Sequence, residues 1–486
     1  MSSESTKEKS APVAAGGEGP ALILTADPPP LRRAESTASS LAFGALCLYL
    51  LSQAYTIPIL TIGPSWAVWP MPSDFATMAT AATALLLPRT RDARMRRYRQ
   101  AIGALFIFCG LSFTILVVFR HILHGESLAT GSVTFGAFHG VRLFEFFLVF
   151  AAATKVPLGE KRLNVLKWIT FAILGWQIFA VFVTYLGIIP AWDFAPQLPE
   201  SKNISGAWEY YVNSKEEGLG TIGYNHAYTA AQLTLLCGMA LQFAAGKRNG
   251  KLQGWPAIAI LLITLVAVFM TGSRAGLGTH LVFTLGYLVR SPVKMVASVI
   301  ASLVLFGFIQ SWVESYRSMD DMTERHATLT NPFEDDNLSG RDNIWKERVK
   351  WLNETPLYWV IGGGLGSTAD TGGPAHMLPL QIIAELGVLG LFFASLLLGR
   401  LLVDQIAARR RLHAFFWVTV ALLVSSITQE TFYPEPALGH FMGLYLLAVA
   451  IFMRRAAEGS APAVREGSAL REGAPLSVSS PPARGA

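Results

Sequence analysis

The sequence predicts an all-α polytopic membrane protein of about 12 transmembrane helices, with a large outer loop between helices 9 and 10. Three observations lead there. The 486 residues are 52% hydrophobic and only 15% charged, where a soluble chain carries about 25% charged residues, and the mean hydropathy is +0.41. Apolar runs of about 20 residues, each long enough to cross roughly 30 Å of hydrocarbon, recur along the chain. The basic residues fall in alternate loops between those runs, which orients a membrane chain. The net charge of +6 is spent in that way, so it does not form a patch for nucleic acid.

In chain order, the apolar runs place spans at 41–60, 72–88, 101–119, 135–154, 168–189, 226–245, 255–271, 275–289, 295–312, 377–399, 414–429 and 438–453. The first lies too far from the start for a cleaved leader and reads as a retained span. Residues 1–38 and 457–486, rich in Ser, Ala, Glu, Pro and Gly, read as disordered tails around a membrane domain at 39–456. With the N-terminus inside, the loops "RTRDARMRRYR", "KVPLGEKRLNVLK", "GKRNGKLQ", "RSPVK" and "RLLVDQIAARRRLH" face the cytoplasm and hold 6, 4, 3, 2 and 4 Lys/Arg. The short outer loops hold one or none and the outer loop 190–225 holds two, so both termini are expected in the cytoplasm. Cys47, Cys109 and Cys237 sit inside apolar runs without metal-ligand spacing and read as small core residues.

The outer loop, residues 313–376, is charged and 64 residues long. Within it, "SGRDNIWKERVKWLNETP" reads as an amphipathic helix over the outer mouth of the bundle. Its apolar stripe is Ile344, Trp345, Val349 and Leu352, Ser339 is its cap, and Pro356 follows its end.

Several polar residues stand out against this background. Arg274, in "TGSRAGLGTH", sits at a tight turn among Gly272, Gly276 and Gly278. Glycines let backbone approach a ligand and a guanidinium can grip phosphate oxygens in two places, although an Arg at an interface turn can also simply snorkel. Arg341 opens the amphipathic helix, where a solvated or ion-paired role is the plainer reading. Asn225 and His226 mark the entry to the sixth span. His139, Arg142 and Glu145 share one face of the fourth, and Arg142 can pair with Glu145. That face reads equally as a structural clamp or as the wall of a substrate cavity.

"GGPAHMLPLQIIAELGVLGLFF" puts His376 at the threshold of the tenth span and Glu385 within it. The two are nine residues apart, so they do not share a helical turn. Glu385 is expected to orient a group across the bundle or to cap the buried end of a neighbouring helix. Two mimics fail. "IGGGLGS" has neither the Gly-Lys-Ser/Thr ending nor the preceding strand of a phosphate loop. "DDNLSG" opens like a calcium loop but has Lys346 where a bidentate Glu is required.

With "GSRAG", "GRDNIW", "GGGLG" and "AHMLPLQIIAELGVLGL" in that order over residues 205–400, the chain resembles the O-antigen ligase and polysaccharide polymerase family of bacterial membrane glycosyltransferases. The resemblance implies a metal-independent enzyme of the inner membrane, with no cofactor. It would move an undecaprenyl-diphosphate-linked glycan onto a glycan or lipid acceptor hydroxyl at the outer leaflet of the bilayer, alongside polysaccharide export proteins. It implies His376 as general base, and Arg274, assisted by Arg341 and His226, as the diphosphate-holding groups. Glu385, Arg142 and Glu145 would support them. The family usually follows its His with Asn, and here Met377 stands in that place. Polymerase and ligase share the donor and both fit. A transporter or glycolipid flippase is the rival class. However, residues 41–250 and 255–455 show no mutual similarity and the 64-residue loop has no counterpart in the first half, unlike the paired repeats of transporters.

Overall fold

A computed structural model of the chain describes residues 37–56, 70–88, 92–118, 122, 132–188, 226–245, 254–289, 291–314, 320–327, 341–371, 373–434 and 439–458. The loop 190–225 with Asn225, the "DDNLSG" segment with Ser339, and nearly all of both tails lie outside these residues. The described residues are helical, with no strand among them.

The helices are α1 (Thr37–Ser52), α2 (Pro72–Leu85), α3 (Ala93–Ser112, continued as a π-helical segment Phe113–Val118), α4 (Ser132–Lys155), α5 (Glu160–Tyr185), α6 (His226–Ala244), α7 (Trp255–Met270), α8 (Arg274–Leu288), α9 (Pro292–Glu314), α10 (Asp320–Ala327), α11 (Arg341–Glu354), α12 (Leu357–Ile361), α13 (Leu378–Ala407), α14 (His413–Ser425) and α15 (Phe441–Glu458). Each expected span overlaps a described helix. Among the described residues, four are long and apolar enough to cross a bilayer: Ala93–Val118, Ser132–Lys155, Glu160–Tyr185 and Leu378–Ala407.

The start of α3, expected at 101, is found at Ala93. Asp92 caps it, its side chain accepting from Arg94 N at 2.8 Å and Met95 N at 3.2 Å. The two basic turns that follow are therefore helix, although they are too polar to read as span. At its other extreme, α6 is buried on every face from Tyr228 to Phe243, as expected for a helix at the centre of a bundle. Its polar groups bond to protein: Gln232 Nε2 donates to Gln53 O at 2.9 Å, and Gln242 Nε2 to Arg411 O at 2.8 Å. Helices α5, α7, α8 and α14 pack around it.

α13 is interrupted. Gly387 has φ 70°, which breaks the helix and releases the carbonyls of Ala384 and Glu385. Gly363 N donates to the first at 2.8 Å and Gly364 N to the second at 3.0 Å. Released carbonyls at membrane depth need such donors. A Cβ on Gly387 would stand 2.1 Å from Val360 O, and one on Gly362 would stand 2.2 Å from Glu385 C. The "IGGGLGS" glycines thus serve backbone-on-backbone packing, which seats the segment leading to His376 inside the bundle.

α11 forms where the periodicity predicts, but its buried face differs. Leu352 and Arg348 are buried, whereas Val349 is 37% exposed. The helix turns its Trp345–Arg348–Leu352 stripe inward because Arg348 finds a carbonyl to bond there.

Candidate active site

The turn 373–377 is held from three directions. Trp345 Nε1 of α11 donates to Ala375 O at 2.8 Å, and Arg348 Nη2 donates to Gly373 O. Gln381, on the first turn of α13, accepts from Ala375 N at 2.7 Å through Oε1. Its Nε2 donates to Glu385 Oε1 at 3.0 Å and to Thr368 Oγ1 at 2.9 Å, and Thr368 Oγ1 donates to Glu385 Oε1 at 2.6 Å. Glu385, fully buried, therefore fastens the 367–371 turn to α13 and, through Gln381, the backbone next to His376. Its partners are thus the neighbouring turn and its own helix. Burial pulls the Arg348 guanidinium below the usual arginine range, an effect opposed by Glu385 and Glu347.

His376 itself has φ 52°, the left-handed conformation that side chains other than Gly seldom adopt. The bonds to Gly373 and Ala375 just before it hold it there, and backbone strain of this kind concentrates at functional positions. Its side chain is 37% exposed and sets Nδ1 3.5 Å from Oε2 of the fully buried Glu430. Tyr228 OH donates to the same oxygen at 3.4 Å. A carboxylate on the Nδ1 side leaves Nε2 on the opposite edge of the ring. Glu430 escaped the sequence reading because it stands in "ETFYPEPAL", a loop that looks like any outer turn. Its signal was a carboxylate at the very end of an apolar run.

Arg274 is the first residue of α8, after Gly272 at φ 69° and Ser273, whose side chain accepts from Gly276 N at 2.9 Å. Gly276 packs against Ala230 of α6, where a Cβ would sit 2.2 Å away. That glycine therefore serves helix packing and not the close approach of a ligand. The contact sets the first turns of α6 and α8 side by side, and so the segments bearing His226 and Arg274. Tyr228 on the same turn of α6 reaches Glu430, which connects these segments to His376. Arg341 opens α11, one turn before the Trp345 that holds Ala375.

Arg142 and Glu145 do pair, at 3.2 Å, but within a second assembly. Arg142 Nη1 also bonds Asp74, and His440 Nε2 lies 2.7 Å from Asp74 Oδ1 and 3.3 Å from Glu145 Oε2. Tyr49 OH stands 3.4 Å from His440 Nδ1. His139 does not join: its Nδ1 faces Tyr433 OH at 3.5 Å among Phe135 and Phe138. Asp74, Glu145 and His440 offer one ligand atom each within 4.8 Å of one another. The Arg142 guanidinium already bonds both carboxylates and supplies the positive charge a metal would bring, so the group is an internal ion network joining α2, α4 and α15. These bonds tie α2 and α4 to the start of α15, and we propose that they act as a structural clamp.

The described residues thus form the helices of a membrane protein, in which a clamped, strained histidine faces a buried carboxylate where a long apolar helix begins. Residues 259–395 match the family model described as O-antigen ligase. The match contains Arg274, Arg341, His376 and Glu385, while Tyr228 and Glu430 lie outside it. No curated protein matches the chain.

Proposed function

We propose that the protein is a membrane glycosyltransferase moving an oligosaccharide from undecaprenyl diphosphate onto an acceptor hydroxyl at the outer leaflet of the inner membrane, as a polymerase or ligase. The observation that carries this reading is the His376–Glu430 pair, with its histidine on a clamped left-handed turn inside the matched segment. Its Nε2 takes the proton of the acceptor hydroxyl, and Glu430 steadies the imidazolium that forms. The acceptor oxygen then attacks the anomeric carbon, and the bond from that carbon to the diphosphate oxygen breaks. Arg274, with Arg341 and His226, takes up the charge that develops on the departing diphosphate. No cofactor takes part in this scheme. The membrane domain spans 39–456, with the outer loop 313–376 and both termini on opposite sides of the bilayer, the termini in the cytoplasm.

The test is covalent transfer by the purified full-length protein in vesicles supplied with a lipid-diphosphate-linked oligosaccharide and a glycan acceptor. The expected result is a lengthened glycan and free polyprenyl diphosphate in equal amounts. Movement of the intact lipid-linked glycan between leaflets, with no new glycosidic bond, would instead identify a flippase.

A further inference from the structure

α3 and α13, two of the four helices long enough to span the membrane, run side by side but do not close on each other. One face of α3 repeats Arg94, Arg97, Ala101, Ala104 and Phe108, at alternating spacings of three and four, the spacing of a packed helical seam. The two alanines sit where a seam would carry large side chains, and a cavity of about 900 Å³ opens there. Leu396 and Leu397 of α13 form its other wall. Phe108 closes the deep end against Phe393, edge-on, with ring centres 6.1 Å apart. The slot runs from Arg94 to Phe108, about 21 Å at 1.5 Å per residue, against about 15 Å for half of the hydrocarbon thickness. One leaflet's acyl chain and its glycerol end fit that length.

The mouth of the slot is cationic. Exposed Arg94 and Arg97 stand on one side, and Arg400 of α13 on the other. Asp404 accepts from Tyr98 OH and pairs with Arg400 at 3.2 Å, which offsets one charge of the three. A second cavity, of about 530 Å³, shares Arg94 and Asp404 and adds exposed Arg409 and Arg410. Orientation of the chain explains arginines at this end of the helices. It does not explain an apolar slot hollowed between two spans and opening onto them. Basic pockets between helices at that depth bind phospholipid phosphates.

We infer that the α3–α13 slot is a binding site for an anionic glycerophospholipid, with one acyl chain along Ala101 and Ala104 and its phosphates on Arg94, Arg97, Arg400, Arg409 and Arg410. It lies at the end of α13 remote from His376. Beyond the Gly387 break the helix still runs to Ala407, about 30 Å, so the Arg400 end of the slot belongs to the leaflet opposite the proposed active site. A glycan donor engaged at His376 does not reach it. Its occupant would brace the two spans from behind, one of them carrying the His376 turn at its far end.

The test uses the full chain in nanodiscs of phosphatidylethanolamine with a minor share of cardiolipin, extracted and weighed by native mass spectrometry. Wild type is expected to retain cardiolipin more than about tenfold above its share, since each arginine near a phosphate adds severalfold in affinity. Arg94→Gln/Arg97→Gln/Arg400→Gln should return retention to the bulk share. Ala101→Trp should do the same by filling the slot with every arginine kept, while Lys161→Gln, at another basic turn, should leave retention unchanged. Full retention by the Ala101→Trp protein would overturn the site, since surface charge alone would then gather the lipid. Bulk-level retention by wild type, or displacement of the lipid by millimolar inorganic phosphate, would also overturn it. Preferential retention of an added polyprenyl phosphate over cardiolipin would reassign the slot to the carrier lipid and contradict the inference as stated.

Discussion

His376 and His440 each face a carboxylate, yet their surroundings differ at every other point. His440 is fully buried, lies 2.7 Å from Asp74 and 3.3 Å from Glu145, both paired with Arg142, and meets Tyr49 OH at its other nitrogen. His376 is 37% exposed, meets Glu430 at 3.5 Å, and holds a left-handed backbone. The first network is closed: two carboxylates, one guanidinium and one imidazole answer each other, and α2, α4 and α15 are tied together as a result. The second is partly exposed at the ring and tightly clamped along the backbone that precedes it. A polar residue inside a membrane bundle is therefore no site by itself; access and a rigid seat distinguish the candidate base from the clamp.

The largest expected effect lies in the closed network. Arg142→Met removes the cation between two buried carboxylates, and breaking a buried pair in this way costs about 3–5 kcal/mol, a large share of the roughly 5–15 kcal/mol that keeps a protein folded. The variant should fail to accumulate in membranes, as read by immunoblot and by thermal unfolding in detergent. An Arg142→Met protein that accumulates normally but has lost transfer would move this network from clamp to site.

Arg274→Lys is expected to accumulate normally and to transfer about tenfold more slowly or worse, because one ammonium cannot reproduce a two-pronged grip on a diphosphate. Initial rates at several donor concentrations check this, and a wild-type rate would leave Arg274 as an interfacial anchor. The smallest effect tests the seat of His376. Trp345→Phe keeps the ring but drops the bond to Ala375 O, a loss of about 1 kcal/mol, and should slow transfer a few-fold. Val349→Ala, on the exposed side of the same helix, should shift stability by no more than about 0.5 kcal/mol.

Much of this was readable from the chain. Apolar runs located every helix that the structure aligns with an expected span, because burial in lipid demands them. The ordered motifs picked out the segment that matches the O-antigen ligase family. The i, i+3 spacing of Arg142 and Glu145 forecast their pair. Asp74 and His440 were missed because they are 366 residues apart, and a lone carboxylate and a lone histidine carry no mutual pattern. Glu430 was missed for the same reason. Arg348 was displaced by Val349 in the predicted stripe, since hydrophobic periodicity cannot anticipate an arginine that turns inward to bond the Gly373 carbonyl. The start of α3 was placed late because hydropathy marks where lipid begins, whereas the Asp92 cap marks where the helix begins.

The central claim is that His376 removes the acceptor proton. The measurement that bears on it most directly is single-turnover transfer by purified His376→Gln protein in vesicles, with its membrane level and melting temperature matched to wild type. Gln retains hydrogen bonding but cannot accept the proton, so the account predicts a rate about 100-fold to 10,000-fold lower, the usual share of a general base. A well-folded Gln variant that transfers glycan at the wild-type rate would contradict it.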